Sequence, residues 1–165
     1  MIPRFYELTE DHRILNPFRP PALQTSFDEL PISSVLMIER RLNEEPTDWI
    51  SRPSYFVSDR MKRLMEMVDE AMLFKSVTFI DQGSGEQLSY WACHIPAVLA
   101  LSDHSLFYPN GSIQQLVLQG EAVKDQRIFT LEGVRGSGVI VRFDVAESML
   151  RRGLSGFVLR KVDLE

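Results

Sequence analysis

Apolar residues in this chain change their spacing twice, in the same order each time. Tyr55, Phe56 and Val57 form an aromatic and β-branched run, which predicts a short strand. Ser58 follows in an N-cap position, with Asp59 placed in the first turn, where a negative charge suits the helix dipole. Met61, Leu64, Met65 and Val68 then recur at i, i+3, i+4 and i+7, which is one face of a helix. Arg60, Lys62, Arg63, Glu66 and Asp69 take the other side. After Phe74 and Lys75 the period falls to two. Val77 and Phe79 alternate with Ser76 and Thr78, as side chains do along a strand.

Residues 138 to 163 run through strand, cap, helix and strand again. Asp144 is the expected N-cap, with Glu147 three residues later at capping-box spacing. Val145 and Met149, with Ala146 and Leu150, make the apolar face, and Gly153 is expected at C′. The two units are either a repeat or two ordinary ways of packing a helix on a sheet. Their side chains do not align beyond the pattern.

The intervening stretches fill in a sheet. Residues 1 to 9 predict an edge strand, with Pro3 tolerated at its start. Four prolines between Asn16 and Pro31 predict an extended arm packed by Phe18, Leu23 and Phe27. In Ser34 to Asn43 the helix formers Met37, Glu39, Arg40, Arg41 and Leu42 outweigh Val35, Leu36 and Ile38, so a short helix is expected. Glu44 to Pro53 reads as a loop around Trp49 and Ile50. Gly83-Ser84-Gly85 marks a hairpin turn. The returning strand, Gln87 to Ile95, has Leu88, Tyr90 and Ala92 on one face and Trp91, Cys93 and Ile95 on the other, which predicts a central position.

Pro96 ends that strand. Ala97 to Leu101 is expected as a helical turn, and Asp103 to Ser112 as a long loop with a Pro109-Asn110-Gly111 turn. Ile113 to Gln119 and Arg127 to Leu131 read as strands joined through Gly120 to Asp125, and Gly133, Gly136 and Gly138 mark the turn into the second unit. The expected fold is α+β, a mostly antiparallel sheet with two or three helices packed on it. Residues 1–165 are expected to form a single domain, with 1–47 an N-terminal strand and Pro-rich arm and 48–165 the α+β core.

Composition narrows the classes. Hydrophobic residues make up 44% of the chain, yet none of its apolar runs approaches the roughly 18 residues of a membrane span. The start, MIPRFYELTEDHRIL, has no apolar signal core, and the single Cys93 cannot form an internal disulfide. The expected location is therefore the cytoplasm. Net charge is −5, and residues 1–119 carry 10 Lys/Arg against 16 Asp/Glu while residues 120–165 carry 8 against 7. A chain without a basic stripe is a poor nucleic-acid binder and suits a basic partner.

Candidate chemistry is thin. Asp103-His104-Ser105 has the residue types of a hydrolytic triad, but adjacent residues seldom converge on one reacting atom, and no G-x-S-x-G elbow is present. Cys93 and His94 are neighbours on a strand, so their side chains diverge. His12, His94 and His104 show no metal-ligand spacing, and the glycines match neither a P-loop nor a dinucleotide fingerprint. The sequence assigns no catalytic, metal or cofactor site.

From residue 48 onward the order of segments is informative. Asp-Trp-Ile at 48 to 50 precedes YFVSDRMKRLME and SVTFID, and a polar hairpin leads into LSYWACHI. LALSDHS, GSIQQLVL, RIFTLEG and VIVRFDVAESMLRRGLSGFVLRKV follow. This resembles the small immunity proteins of bacterial polymorphic toxin systems, over residues 48 to 164. The resemblance implies a cytoplasmic, non-enzymatic protein that binds and blocks a cognate toxin and needs no cofactor. It carries over no binding residue.

The expected contact surface is the loop Asp103 to Asn110, with His104, Phe107 and Tyr108, helped by Trp49. The alternative is that these aromatics pack beneath their loops. Two other functions stay open. One is a small-molecule-binding or enzymatic α+β domain, which a deep pocket with convergent ionisable groups would favour. The other is an accessory structural protein of a secretion or phage system.

Overall fold

The computed structural model describes residues 2–134 and 138–165. Strands β1 (Phe5–Glu10), β2 (Ser33–Ile38), β3 (Trp49–Ile50) and β4 (Phe56–Val57) precede helix α1 (Asp59–Val68) and a hairpin of β5 (Leu73–Asp81) and β6 (Gln87–His94). The short strands β7 (Ala97–Val98), β8 (Leu106–Phe107), β9 (Ile113–Gln115) and β10 (Val117–Leu118) follow, with a one-turn helix α2 (Gly120–Val123) and β11 (Ile128–Leu131). The chain closes with β12 (Val139–Arg142), α3 (Phe143–Arg151) and β13 (Phe157–Leu164).

The fold is α+β, built on two large sheets. One has the order β10-β13-β1-β12-β11-β7 and the other β2-β5-β6-β4-β3. Both are mixed: β2–β5, β7–β11 and β10–β13 pair in parallel among antiparallel neighbours. The two strand–helix–strand units share a wiring. In the first, β4 and β5 flank β6, and in the second, β12 and β13 flank β1, each pairing antiparallel with the strand between.

Helices α1 and α3 meet between the sheets. Met61, Leu64, Met65 and Val68 of α1 and Val145, Ala146 and Met149 of α3 share one core with Val57, Cys93 and Val141. Burial of those α1 residues is what the i, i+3, i+4, i+7 spacing predicts. The outer face of the six-stranded sheet carries Phe5, Leu118, Phe129, Ile140 and Val162, packed with Leu116 and Val123. The outer face of the five-stranded sheet carries Phe56, Val77, Phe79 and Tyr90 beneath Phe18 and Leu30 of the proline-rich arm, with Leu23 and Phe27 packed alongside. Strand β6 sends Tyr90 and Ala92 to this second core and Cys93 to the helical one. Both of its faces are covered, as its two apolar faces predict.

Several local expectations are corrected. The first strand is central, not an edge, because it pairs with β12 on one side and β13 on the other, and Glu7 is buried there with its charge met: its carboxylate accepts from Arg160 and from the Gly138 N–H, both at 2.9 Å. Ser33–Ile38 is strand rather than helix, since six consecutive residues pair with β5. That tertiary pairing overrides local propensity. Trp49 and Ile50 form a strand against β4 instead of a loop, and Ala97–Val98 pairs with β11 rather than turning. Asp144 does not cap α3, which starts at Phe143. Its carboxylate is held by Arg142 Nε (2.7 Å) and Arg127 (3.0 Å), while Glu147 pairs with Arg151. Gly153 does stand at C′ with φ 63°. Its N–H donates to Leu150 and that of Leu154 to Met149, the pair of bonds of a Schellman ending. Gly136 lies outside the described residues.

Candidate functional site

The stretch from Ser102 to Ser112 is a hairpin on a pinned base. Ser105 is buried, and its Oγ donates to the Val117 carbonyl (2.9 Å) and accepts from the Val117 N–H (3.0 Å), imitating a strand pairing with a side chain. The N–H of Ser102 also donates to Val117 O at 2.9 Å. Ser102 Oγ hydrogen-bonds the Glu165 carboxylate and accepts from the His104 N–H at 3.0 Å. Beyond this base, β8 pairs with β9, Leu106 opposite Gln115 and Phe107 opposite Ile113. The Gly111 N–H closes the Pro109-Asn110 turn onto Tyr108 O at 2.9 Å, with Gly111 at φ 85°, and Asn110 Oδ1 accepts from the N–H and hydroxyl of Ser112.

The tip displays apolar side chains on this ordered frame. Phe107 is 46% exposed and Tyr108 51%, with Leu106 beside them. Asp103 and His104 are also exposed. Trp49 is not part of this surface. It is 3% exposed, sits in the helical core, and stacks on Tyr55 with ring centroids 5.4 Å apart. Its position in β3 turns the indole inward. An aromatic beside a proline-rich stretch carries no sequence signal that separates those two outcomes.

The triad residue types do not converge. Ser105 Oγ is committed to Val117, and His104 Nδ1 lies 3.7 Å from Glu165. Burial pushes the Cys93 thiol up to about 12, which removes the thiolate a nucleophile needs. An open cleft of about 430 Å3 lies between Glu7, His12, Trp49, Arg52, Tyr55 and Arg160. Its charges are already paired, Glu7 with Arg160 and Glu10 at the rim with Arg19 and Arg52. Burial pushes Glu10 upward, but hydrogen bonds from Arg52 and Arg19 outweigh it and hold the carboxyl below its ordinary value. Among the described residues no cluster of His, Cys, Asp or Glu could hold a metal ion, and no helix is long and apolar enough to cross a membrane.

A second polar constellation, missed by motif reading, joins the two units. Asp48 is buried, and its carboxylate accepts from Ser58 Oγ (2.6 Å), from the Ser155 N–H (2.8 Å) and from Ser155 Oγ (3.2 Å). Ser58 caps α1 by accepting from the Met61 N–H at 3.2 Å, so one carboxylate touches the start of α1 and the turn after α3. Gly156 completes the junction: at φ 103°, a Cβ there would stand 2.4 Å from the Trp49 carbonyl. Asp48 shows only as part of Asp-Trp-Ile in the sequence, and its partner is 107 residues away.

No curated protein matches the chain. A family model described as an immunity protein family, Imm11, matches residues 3–163. The match includes residues 3–47, where sequence reading found no resemblance, in keeping with the place of β1 between β12 and β13. Covering nearly the whole length, it shows that this chain belongs to the Imm11 immunity protein family.

Proposed function

We propose that this protein is the cytoplasmic immunity partner of a bacterial toxin, and that it acts as one non-enzymatic domain, neutralising the toxin by binding and covering it. The observation that carries the reading is the hairpin tip: Phe107 and Tyr108 half exposed on a frame fixed by Ser102, Ser105 and Val117. Exposed aromatics held at low conformational cost are the side chains that dominate binding energy at interfaces. Asp103 and His104 supply the polar rim. A net charge of −5 favours a basic toxin and speeds its encounter. Family membership supports the partner class. The carboxylates of the Glu7–Arg160 cleft are already engaged by arginines, which counts against the ligand-binding alternative there.

The test is to express the toxin domain encoded beside this gene, with and without this protein, scoring growth and co-purification. Growth rescue with a stable complex is the expected result, and a neighbour that is neither toxic nor bound counts against the reading. Phe107→Ala and Tyr108→Ala should each weaken the complex about tenfold or more while leaving the melting temperature within about 2 °C. Full affinity in both variants would remove the hairpin from the interface.

A further inference from the structure

The cleft lined by Glu7, Trp49, Arg52, Tyr55 and Arg160 has its acceptors spent and its donors free. It opens between the two sheets, with β1 and β13 on one side and β3 and the β3–β4 loop on the other. Both oxygens of Glu7 accept, one from Arg160 and one from the Gly138 N–H, and both oxygens of Glu10 accept, one from Arg19 and one from Arg52. Glu7 is buried and Glu10 half-buried, whereas the side chains of Arg52 and Arg160 are 66% and 70% exposed. Among the described residues each of these two arginines gives one N–H to a carboxylate, out of the five that a guanidinium carries. The Tyr55 hydroxyl makes no hydrogen bond among them. The indole N–H of Trp49, in the same wall, is buried without an acceptor. Two carboxylates against three guanidiniums leave one positive charge over, in a chain whose net charge is −5.

We propose that this cleft binds an oxyanion, a carboxylate or phosphate group carried on a small apolar body. Guanidinium forks match the paired oxygens of both groups. A ligand that brings only acceptors is met by Arg52, Arg160 and the Tyr55 hydroxyl, and it puts negative charge beside the orphaned indole N–H. A cation would meet the arginines first and find the carboxylate oxygens already taken. Leu8, Trp49 and Tyr55 give the cleft an apolar wall, and its volume of about 430 Å3 is that of a site for a small organic molecule, larger than a bare phosphate needs. The engaged carboxylates cannot serve as bases, so the site binds and does no chemistry. It lies on other elements than the β8–β9 hairpin, stands beside the immunity function and does not depend on it. A free small molecule and an acidic side chain of a bound protein both carry such a group, and the test separates them.

Titration of the full chain with inorganic phosphate and with phenyl phosphate, at constant ionic strength, reads the site through its indole N–H signals in NMR. The chain has two tryptophans, and Trp91→Phe assigns the pair. The Trp49 signal should shift and saturate while that of Trp91, which lies against Lys62, stays in place. The expected dissociation constant is on the order of 1 mM for phosphate and about fivefold lower for phenyl phosphate, whose ring uses the apolar wall. Arg52→Gln should weaken both about fivefold or more and keep the melting temperature within about 2 °C, because Glu10 retains Arg19. Tyr55→Phe removes a donor without changing charge and should weaken both about threefold. Arg63→Gln, on the exposed side of α1, should change neither. A Trp49 signal that does not move by about 50 mM of either anion overturns the proposal. So does equal binding by Arg52→Gln and the parent, or a loss in Arg63→Gln as large as in Arg52→Gln, which would reduce the effect to general charge. Repeating the titration in the toxin complex assigns the source. Exclusion of phenyl phosphate, with a complex weakened by Arg52→Gln, gives the site to an acidic side chain of the toxin, and unchanged binding gives it to a free anion.

Discussion

The two strand–helix–strand units share a wiring but secure their helices at opposite ends. Helix α1 has a side-chain cap at its start, where Ser58 Oγ accepts from the Met61 N–H, and ends without a glycine at Asp69. Helix α3 has no side-chain cap at its start and ends in the Schellman turn at Gly153. The specialised end of each is the one that reaches the Thr47–Trp49 segment. Asp48 accepts from Ser58 in one unit and Ser155 in the other, and Gly156 passes beneath the Trp49 carbonyl. Defined helix ends occur where the units are joined, and the remote ends are plain. The junction, more than either helix alone, fixes how the sheets sit on the shared core.

Breaking the junction should therefore cost more than breaking either unit. Gly156→Ala is expected to have the largest effect, about 3 kcal/mol or more in denaturant unfolding. It combines a positive φ with a Cβ 2.4 Å from a backbone oxygen that cannot yield. A loss near that of an exposed substitution would show that the segment moves easily and that the junction is soft. Asp48→Ala comes next, at about 2–3 kcal/mol, because it strands the Ser58 and Ser155 donors in a part-buried site. A double-mutant cycle with Ser155→Ala should give a coupling of about 1 kcal/mol. Additive losses would mean that Asp48 serves one unit only.

Sequence reading recovered what is local and periodic. The α1 face, the β5–β6 hairpin, the two-faced β6 and the C′ glycine all follow from spacing and backbone chemistry. It failed where a distant partner decides. Glu7 looks like a solvent-facing residue of an edge strand until Arg160 and the Gly138 N–H are placed beside it. The Met37–Leu42 stretch has helix formers, and only the ladder with β5 makes Ser33–Ile38 a strand. Asp144 has the spacing of a cap, but two arginines, one of them 17 residues upstream, compete for its oxygens. At the hairpin tip the sequence singled out Phe107 and Tyr108 together with Trp49, and burial divides them because β3 pairs inward against β4.

The two helix ends allow a finer comparison. Ser58→Ala should cost about 1 kcal/mol, since it removes the cap and one Asp48 contact. Gly153→Ala should cost a similar amount for a different reason: nothing lies within 4 Å of a Cβ there, so only the positive φ resists it. Asn at the same position should recover part of the loss, because it tolerates the left-handed region. If Gly153→Ala were neutral, the Schellman ending would contribute nothing to holding α3, and the proposed division of labour would rest on α1 alone.

The smallest effect separates the uncapped start of α3 from the capped start of α1. Hydrogen bonds from Arg142, opposed by partial burial and joined by those from Arg127, hold Asp144 well below the usual carboxylate range. A carboxyl with a depressed folded pKa stabilises the fold above its unfolded value, near 3.9, and that contribution is lost as pH falls toward the folded value. Asp144→Asn should therefore be less stable than the parent at pH 6, by under about 1 kcal/mol after allowance for the half-exposed site. The two proteins should converge as pH drops from about 4 toward 2. Added salt at pH 6 should narrow the gap as well, whereas the Ser58→Ala loss, resting on neutral hydroxyl contacts to the helix backbone as well as on Asp48, should respond less. A difference that persists unchanged at pH 2 and in high salt would mean that Asp144 supports α3 through packing, and that both helix starts are held by geometry rather than one by charge.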